Sequence, residues 1–187
     1  MKNEKFIDLL PLETERLIIK PTSVEDIELM LKLDKQETTQ KYLGGIKNKT
    51  REERIDFLEK KASKFKNGYA GSLTIYLKDN VPIGFAGLKI DEINNNAEIS
   101  YLFDYDYCNK GYCTEACKKL IEVGFKKLNL NKIYADTIEG NDSSKRVLEK
   151  LGFILEGTRR KQAFVAESNE YRDFYDYGLL IEEFNKL

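Results

Sequence analysis

The chain has 187 residues, 41% of them apolar and 34% charged, and its 31 basic and 32 acidic side chains leave a formal net charge of −1. That length suits a single compact domain, and the balanced charge supplies neither the basic face that nucleic acid requires nor a polybasic segment for an anionic membrane. The absence of histidine removes Ser-His-Asp and Cys-His catalysis and the common zinc sites, and three neighbouring cysteines, Cys108, Cys113 and Cys117, do not make a disulfide framework.

Residues 1–11 read as an N-terminal extension, with an apolar run from Phe6 to Leu12 broken by Asp8 and Pro11. It is no signal-peptide core, and no stretch approaches the roughly 20 apolar residues of a membrane helix. A cytoplasmic protein is the expectation. Arg16 to Lys20 reads as a first strand ending at Pro21. Ser23 then caps a helix carrying Ile27, Met30, Leu31 and Leu33, with Glu25 and Asp26 in its first turn. Thr50 and Glu53 have capping-box spacing and start a second helix, with Ile55, Leu58, Ala62 and Phe65 on one face and Gly68 at its end.

Strand patterns follow. Leu73, Ile75 and Leu77 alternate with polar residues, Asp79-Asn80 turns the chain, Ile83 to Ile90 returns, Asn94-Asn95-Asn96 turns again, and Ala97 to Phe103 completes an antiparallel meander. The period then changes: Cys113, Ala116, Cys117, Leu120, Ile121, Gly124 and Leu128 are helically spaced. Ile133 to Ile138 is a strand, and Asn141 or Asp142 caps a helix bearing Val147, Leu148 and Leu151, closed by Gly152. Phe153 to Leu155 and Tyr171 to Ile181 are the final strands. The order predicts one α/β (α+β) domain over residues 1–187, with a mixed sheet of about seven strands flanked by helices.

Between the meander and the next helix lies Asn109-Lys110-Gly111-Tyr112-Cys113-Thr114-Glu115-Ala116. A strand, a turn containing glycine and a helix N-terminus together form an anion site, because the first-turn amides lack intrahelical partners and carry partial positive charge. Gly111 lets the backbone approach the anion, Thr114 adds a hydroxyl, and Lys110 a charge.

The segment resembles the acetyl-CoA loop of the GNAT acetyltransferase superfamily, Gln/Arg-x-x-Gly-x-Gly/Ala. Gly111-Tyr112-Cys113-Thr114-Glu115-Ala116 is closer still to the branch that includes ribosomal-protein N-terminal acetyltransferases. Two further blocks are similar to that branch and fall in its order: Leu12-Glu13-Thr14-Glu15-Arg16-Leu17, and Asn141-x-x-Ser144-x-x-Val147-Leu148-Glu149-Lys150-Leu151-Gly152-Phe153. Two loop positions depart from the pattern: Cys108 replaces Gln or Arg, and Cys113 replaces Gly or Ala. Backbone amides therefore carry the phosphate binding.

The resemblance implies an N-acetyltransferase that moves an acetyl group from acetyl-CoA, with no metal, to a primary amine in a ternary complex. The acceptor is a protein N-terminus or a small molecule, and the protein is a monomer or homodimer. The alternative is a non-catalytic acyl-CoA-binding module on the same fold. The resemblance places the pantetheine arm along Tyr101, Leu102 and Phe103, the pyrophosphate on Asn109, Lys110, Gly111, Tyr112, Cys113 and Thr114, and Asn141 and Ser144 beside the cofactor. It points to a backbone N–H near Leu102 for the carbonyl oxygen, Glu98 as base and Ser144 as proton donor, since Leu148 stands where many members carry a tyrosine. Tyr171 is the candidate for lining an acceptor pocket. Cys113 has no histidine to pair with as a nucleophile, and Lys145, Arg146 and Lys150, with Arg159-Arg160-Lys161, read as solvated faces from which one or two side chains could meet the adenosine phosphate.

Overall fold

The computed structural model describes residues 1–43, 49–66, 71–165 and 168–186. Its sheet runs, in spatial order, β1 (Leu12–Glu13), β2 (Leu17–Pro21), β3 (Ser72–Leu77), β4 (Pro82–Asp91), β5 (Asn96–Phe103), β6 (Lys132–Ile138), β8 (Glu170–Leu180) and β7 (Ile154–Val165). The sheet is mixed, as predicted: β5 and β6 are parallel and every other neighbouring pair is antiparallel. The eighth strand is the two-residue β1, too short to show an alternating pattern. β7 runs ten residues past Leu155, where the sequence reading ended it. That extension is an edge strand rich in charge, and edge strands carry charge without the period-2 apolar pattern that marks a buried one.

The helices are α1 (Lys2–Asp8), α2 (Ile27–Asp34), α3 (Glu37–Leu43), α4 (Arg51–Lys66), α5 (Tyr112–Lys126), α6 (Asp142–Lys150) and α7 (Ile181–Phe184). Ser23 caps a single 3-10 turn that leads into α2: its hydroxyl accepts from the Glu25 amide, and its own amide donates to Asp26. Thr50 and Glu53 form the reciprocal capping box at α4. Gly68 lies outside the described residues. α1 belongs to the N-terminal extension and packs onto the domain, with Phe6 fully buried and Asn3 held to Glu92 by two 3.0 Å hydrogen bonds. α3 has no apolar stripe to betray it, and among its described side chains the buried one is Thr39.

Strand register divides the core. Gly84, Ala86, Leu88 and Ile90 of β4 sit beside Phe103, Tyr101, Ile99 and Ala97 of β5. This face packs on α5 through Ala116, Cys117, Leu120 and Ile121. The opposite face presents Phe85, with Leu102 beside it, to Ile27, Met30 and Leu33 of α2 and Leu58 of α4.

One feature of the sheet creates the site. β5 and β6 are joined through the α5 crossover that parallel neighbours require, but they pair only over Asn96–Glu98 and Lys132–Tyr134. Beyond Ile99, β5 has no strand on that side, while β6 continues along β8 from Lys132 to Ile138. The two strands therefore diverge into a V.

Candidate active site

A cavity of about 350 Å³ lies along the V. Its walls include Tyr101, Leu102 and Phe103 of β5, the loop residues Asn109 and Gly111, the first turn of α5, and Asn141 and Ser144 at the start of α6. Thr38, Thr39 and Tyr42 of α3 close the far side, and the Tyr42 hydroxyl donates to the Gly140 carbonyl at 2.8 Å. No carboxylate lines the cavity among the described residues.

The loop has the backbone of an anion cradle. Asn109 (φ 60°) and Gly111 (φ 83°) are both left-handed. The α5 helix begins immediately after, with the Glu115 amide bonded to the Gly111 carbonyl at 2.9 Å. The amides of Tyr112, Cys113 and Thr114 precede that first helical bond and face no intrahelical acceptor. Tyr112, Cys113 and Thr114 all line the cavity. Lys110 does not: its ammonium lies 5.3 Å from the Tyr107 ring. Cys108 lines the cavity, donates to the Asp104 carbonyl, and has its thiol pushed up by burial, aided by Cys113 and Asp104.

Two sequence blocks meet behind the loop. The Glu115 carboxylate accepts from the Thr14 hydroxyl (2.6 Å), the Arg16 amide (3.0 Å) and the Arg16 Nε (2.7 Å). Arg16 also donates to the Lys110 carbonyl at 3.1 Å and covers the Tyr112 ring at 4.5 Å. Burial opposes the charge on Glu115, but the Thr14 and Arg16 hydrogen bonds outweigh it and hold the carboxyl below its usual range. The sequence displays both blocks, yet nothing in their spacing indicates that they touch.

Asp104 braces the loop from the other side. Its side chain is almost wholly buried and accepts from Lys32 Nζ (2.6 Å) and Gln36 Nε2 (2.6 Å), tying α2 to the segment that enters the loop. Burial raises its pKa, but the Lys32 and Gln36 hydrogen bonds win and the net direction is down. A lowered folded-state value means that the bracing is complete above the ordinary carboxylate range and is lost as pH falls through the folded value. Asp104→Asn is expected to cost about 2 kcal/mol at neutral pH. Urea denaturation should show the gap from the parent closing as the solution is acidified.

Across the V, the Tyr101 and Ser144 hydroxyls are 3.0 Å apart. Burial pushes the Tyr101 phenol well above its ordinary value, opposed in part by the Ser144 hydrogen bond, so this hydroxyl keeps its proton at neutral pH. Asn141, not Asp142, caps α6: its Oδ1 accepts from the Ser144 amide and the Ser143 hydroxyl. Its side-chain amide N–H groups remain without a partner among the described residues.

Glu98 is not among the cavity-lining residues. It sits where the V closes, paired across the ladder with Lys89, whose Nζ is 3.6 Å away. By strand alternation it shares the α2/α4 face with Ser100 and Leu102. Tyr171 is 63% exposed and stacks on Phe164 with ring centroids 5.2 Å apart. It lines a second cavity of about 630 Å³ with Glu139, Gly140, Lys161, Glu170 and Arg172. That cavity adjoins the first at the Gly140-Asn141 turn. Among the described residues no cluster of His, Cys, Asp or Glu could hold a metal, and no helix is long and apolar enough to cross a membrane.

Comparison with known proteins supplies an independent reading. The model of the acetyltransferase (GNAT) domain matches residues 16–154. The chain is 31% identical over 178 residues to the uncharacterized N-acetyltransferase YnaD of Bacillus subtilis (strain 168), covering 92% of this chain and 98% of that one. A GNAT-family acetyltransferase from Bacillus anthracis superposes with a TM-score of 0.78 at 29% identity, over 92% of this chain and 99% of the other. The ribosomal L7/L12 alpha-N-protein acetyltransferase RimL, solved in complex with coenzyme A, shares the fold at 18% identity, with a TM-score of 0.81 over 92% and 98% of the two chains.

Proposed function

This chain belongs to the GNAT family of acetyltransferases, and from that membership we propose how it acetylates an amine. Acetyl-CoA supplies the acetyl group as an activated thioester, and an acceptor amine attacks it directly in a ternary complex. The observation that carries the reading is the V between β5 and β6, with the amide-rich start of α5 at its mouth. Those amides, with the left-handed Gly111 backbone, fit a pyrophosphate. The unpaired side of β5 beyond Ile99 fits the pantetheine amides as an added strand, and the Asn141 side-chain amide is free to donate to the same arm.

The residues then divide the chemistry. Glu98, on the α2/α4 face, takes the proton from the incoming ammonium, directly or through water. The Leu102 region of β5 offers a backbone N–H to the carbonyl oxygen as negative charge grows on it. Ser144 gives a proton to the departing sulfur, with the Tyr101 hydroxyl, held protonated by burial, 3.0 Å from its own. The acceptor is a peptide N-terminus or a small amine, and Tyr171 stands in the adjoining cavity where an acceptor chain would extend.

Acetyl-CoA at about 100 times its Kd should raise Tm by about 5–10 °C. A panel of N-terminal peptides, polyamines and amino-acid amides should then release free thiol from acetyl-CoA. A shift without turnover on any acceptor would leave only a non-catalytic acyl-CoA module; no shift would remove the site altogether.

A further inference from the structure

We propose that Thr39 binds the acceptor: its hydroxyl oxygen takes an N–H of the attacking amine and sets the amine's lone pair against the thioester. The proposal rests on the reading of the V as the acetyl-CoA site. Thr39 lies within α3 and is 2% exposed. Its hydroxyl is one of five buried side-chain polar atoms without a hydrogen-bond partner among the described residues, and of those five residues it alone lines the cavity. A threonine inside a helix often turns its hydroxyl onto the carbonyl one turn back, and this one does not. Valine would fill the same space without the cost of a buried hydroxyl left unpaired. The group is therefore a liability to the free protein, and a ligand that hydrogen-bonds to it offsets that cost. Threonine has two accessible rotamers in a helix, so the oxygen can turn to a ligand without any shift of α3.

Position in the fold decides between the two substrates. The cofactor's groups fit the start of α5, the free side of β5 and Asn141 at the start of α6, and the buried side chains of α5 and α6 belong to the same half of the core. α3 stands on the other side. It follows α2, which packs on the sheet face that Glu98 shares by alternation. An amine must meet the thioester from the side that the cofactor leaves open, and that side carries Thr39 and Glu98. Among the described residues, α3 gives the cavity hydroxyls and no charge: Thr38, Thr39 and Tyr42. Such a wall suits a neutral amine better than an ammonium, whose proton Glu98 removes before attack. A primary amine then keeps two N–H bonds, of which Thr39 accepts one while the lone pair faces the carbonyl carbon. Tyr42 donates to the Gly140 carbonyl at 2.8 Å, and Gly140 lines the second cavity, so the rest of the acceptor runs from Thr39 past this bridge toward Tyr171.

Steady-state thiol release tests this, with the fastest amine of a panel of N-terminal peptides, polyamines and amino-acid amides, alongside acetyl-CoA titration and thermal melts. Thr39→Val should raise the acceptor KM about tenfold, the usual effect of losing one buried hydrogen bond, with kcat and the acetyl-CoA Kd close to parental. The free variant should melt no lower than the parent, because the two β-branched side chains have the same shape and similar helix propensity and only an unpaired hydroxyl is lost. Thr39→Ser, which keeps the hydroxyl, should keep the parental KM. An unchanged acceptor KM in the valine variant, or an equal loss in both variants, would overturn the proposal. So would a matching rise in the acetyl-CoA Kd, which would assign the hydroxyl to the cofactor, or a clear fall in Tm, which would show it bonded within the protein. A parent that turns over no amine of the panel would take down the acceptor role alone; a parent that also fails to bind acetyl-CoA would take down the cofactor reading with it.

Discussion

Glu98→Gln lowers kcat/KM by about 100-fold or more, with acetyl-CoA affinity unchanged and the pH–rate profile altered. An amine reaches the site mainly as ammonium and cannot attack until it loses a proton, and a positioned general base contributes about 10²–10⁴ in rate. Among the described residues the cavity wall offers no carboxylate. Glu98 is the carboxylate on β5, in the ladder opposite Lys89 and on the face that the α2/α4 layer shares. Its side chain is 36% exposed, which suits a proton relay through water better than a fully buried pair would. Glutamine keeps the size and the hydrogen-bonding shape but cannot hold the proton. Ser144→Ala should cost less, about tenfold, because a thiolate leaves without a strong acid. Pre-steady-state thiol release separates the two steps. A Glu98→Gln enzyme with the parental rate and pH profile would strip this residue of the role.

Gly111→Val should raise the Kd for acetyl-CoA by at least tenfold and destabilise the fold by about 1–2 kcal/mol. Gly111 has φ 83°, a region that β-branched residues enter only under strain, and a Cβ there would lie 3.3 Å from the Arg16 guanidinium. Arg16 cannot give way freely, because it bonds to both Glu115 and Lys110. The substitution therefore disturbs the amides of the cradle and the brace behind them together. Gly157→Ala is the matching control: its added Cβ meets nothing within 4 Å, and no effect on binding is expected. Titration of both variants with acetyl-CoA decides the matter. A valine variant with parental affinity would show that the loop backbone does not hold the cofactor.

The parts of the site that were legible in the sequence share one property: each is local. The loop around Gly111, the Asn141 cap and the capping boxes at Ser23 and Thr50 are determined by residues a few positions apart, and their chemistry can be read from residue type. The parts that were hidden depend on pairings between distant segments. Thr14 and Arg16 lie 101 and 99 residues from Glu115, so the brace behind the loop is invisible until the β1–β2 connection and α5 are brought together. The V is hidden for another reason. Ile99 to Phe103 and Ala135 to Ile138 have the pattern of any interior strand, and nothing in that pattern says that the pairing stops after Glu98 and Tyr134. Arg146 and Lys150 are exposed, as read from the sequence, but Leu148 and Leu151 identify only the buried side of α6 and not the cavity that lies along its flank. β7 was cut short for want of an apolar alternation, since Arg159 binds Asp136 and Asp176 at the surface rather than packing in the core.

The central claim is that the opening between β5 and β6 is where acetyl-CoA binds. An amide chemical-shift titration with coenzyme A tests it most directly. The account predicts the largest perturbations at residues 109–115 and 99–103, with a second set at the start of α6. Perturbations centred instead on the second cavity around Glu170 to Arg172, or none at saturating ligand, would contradict it.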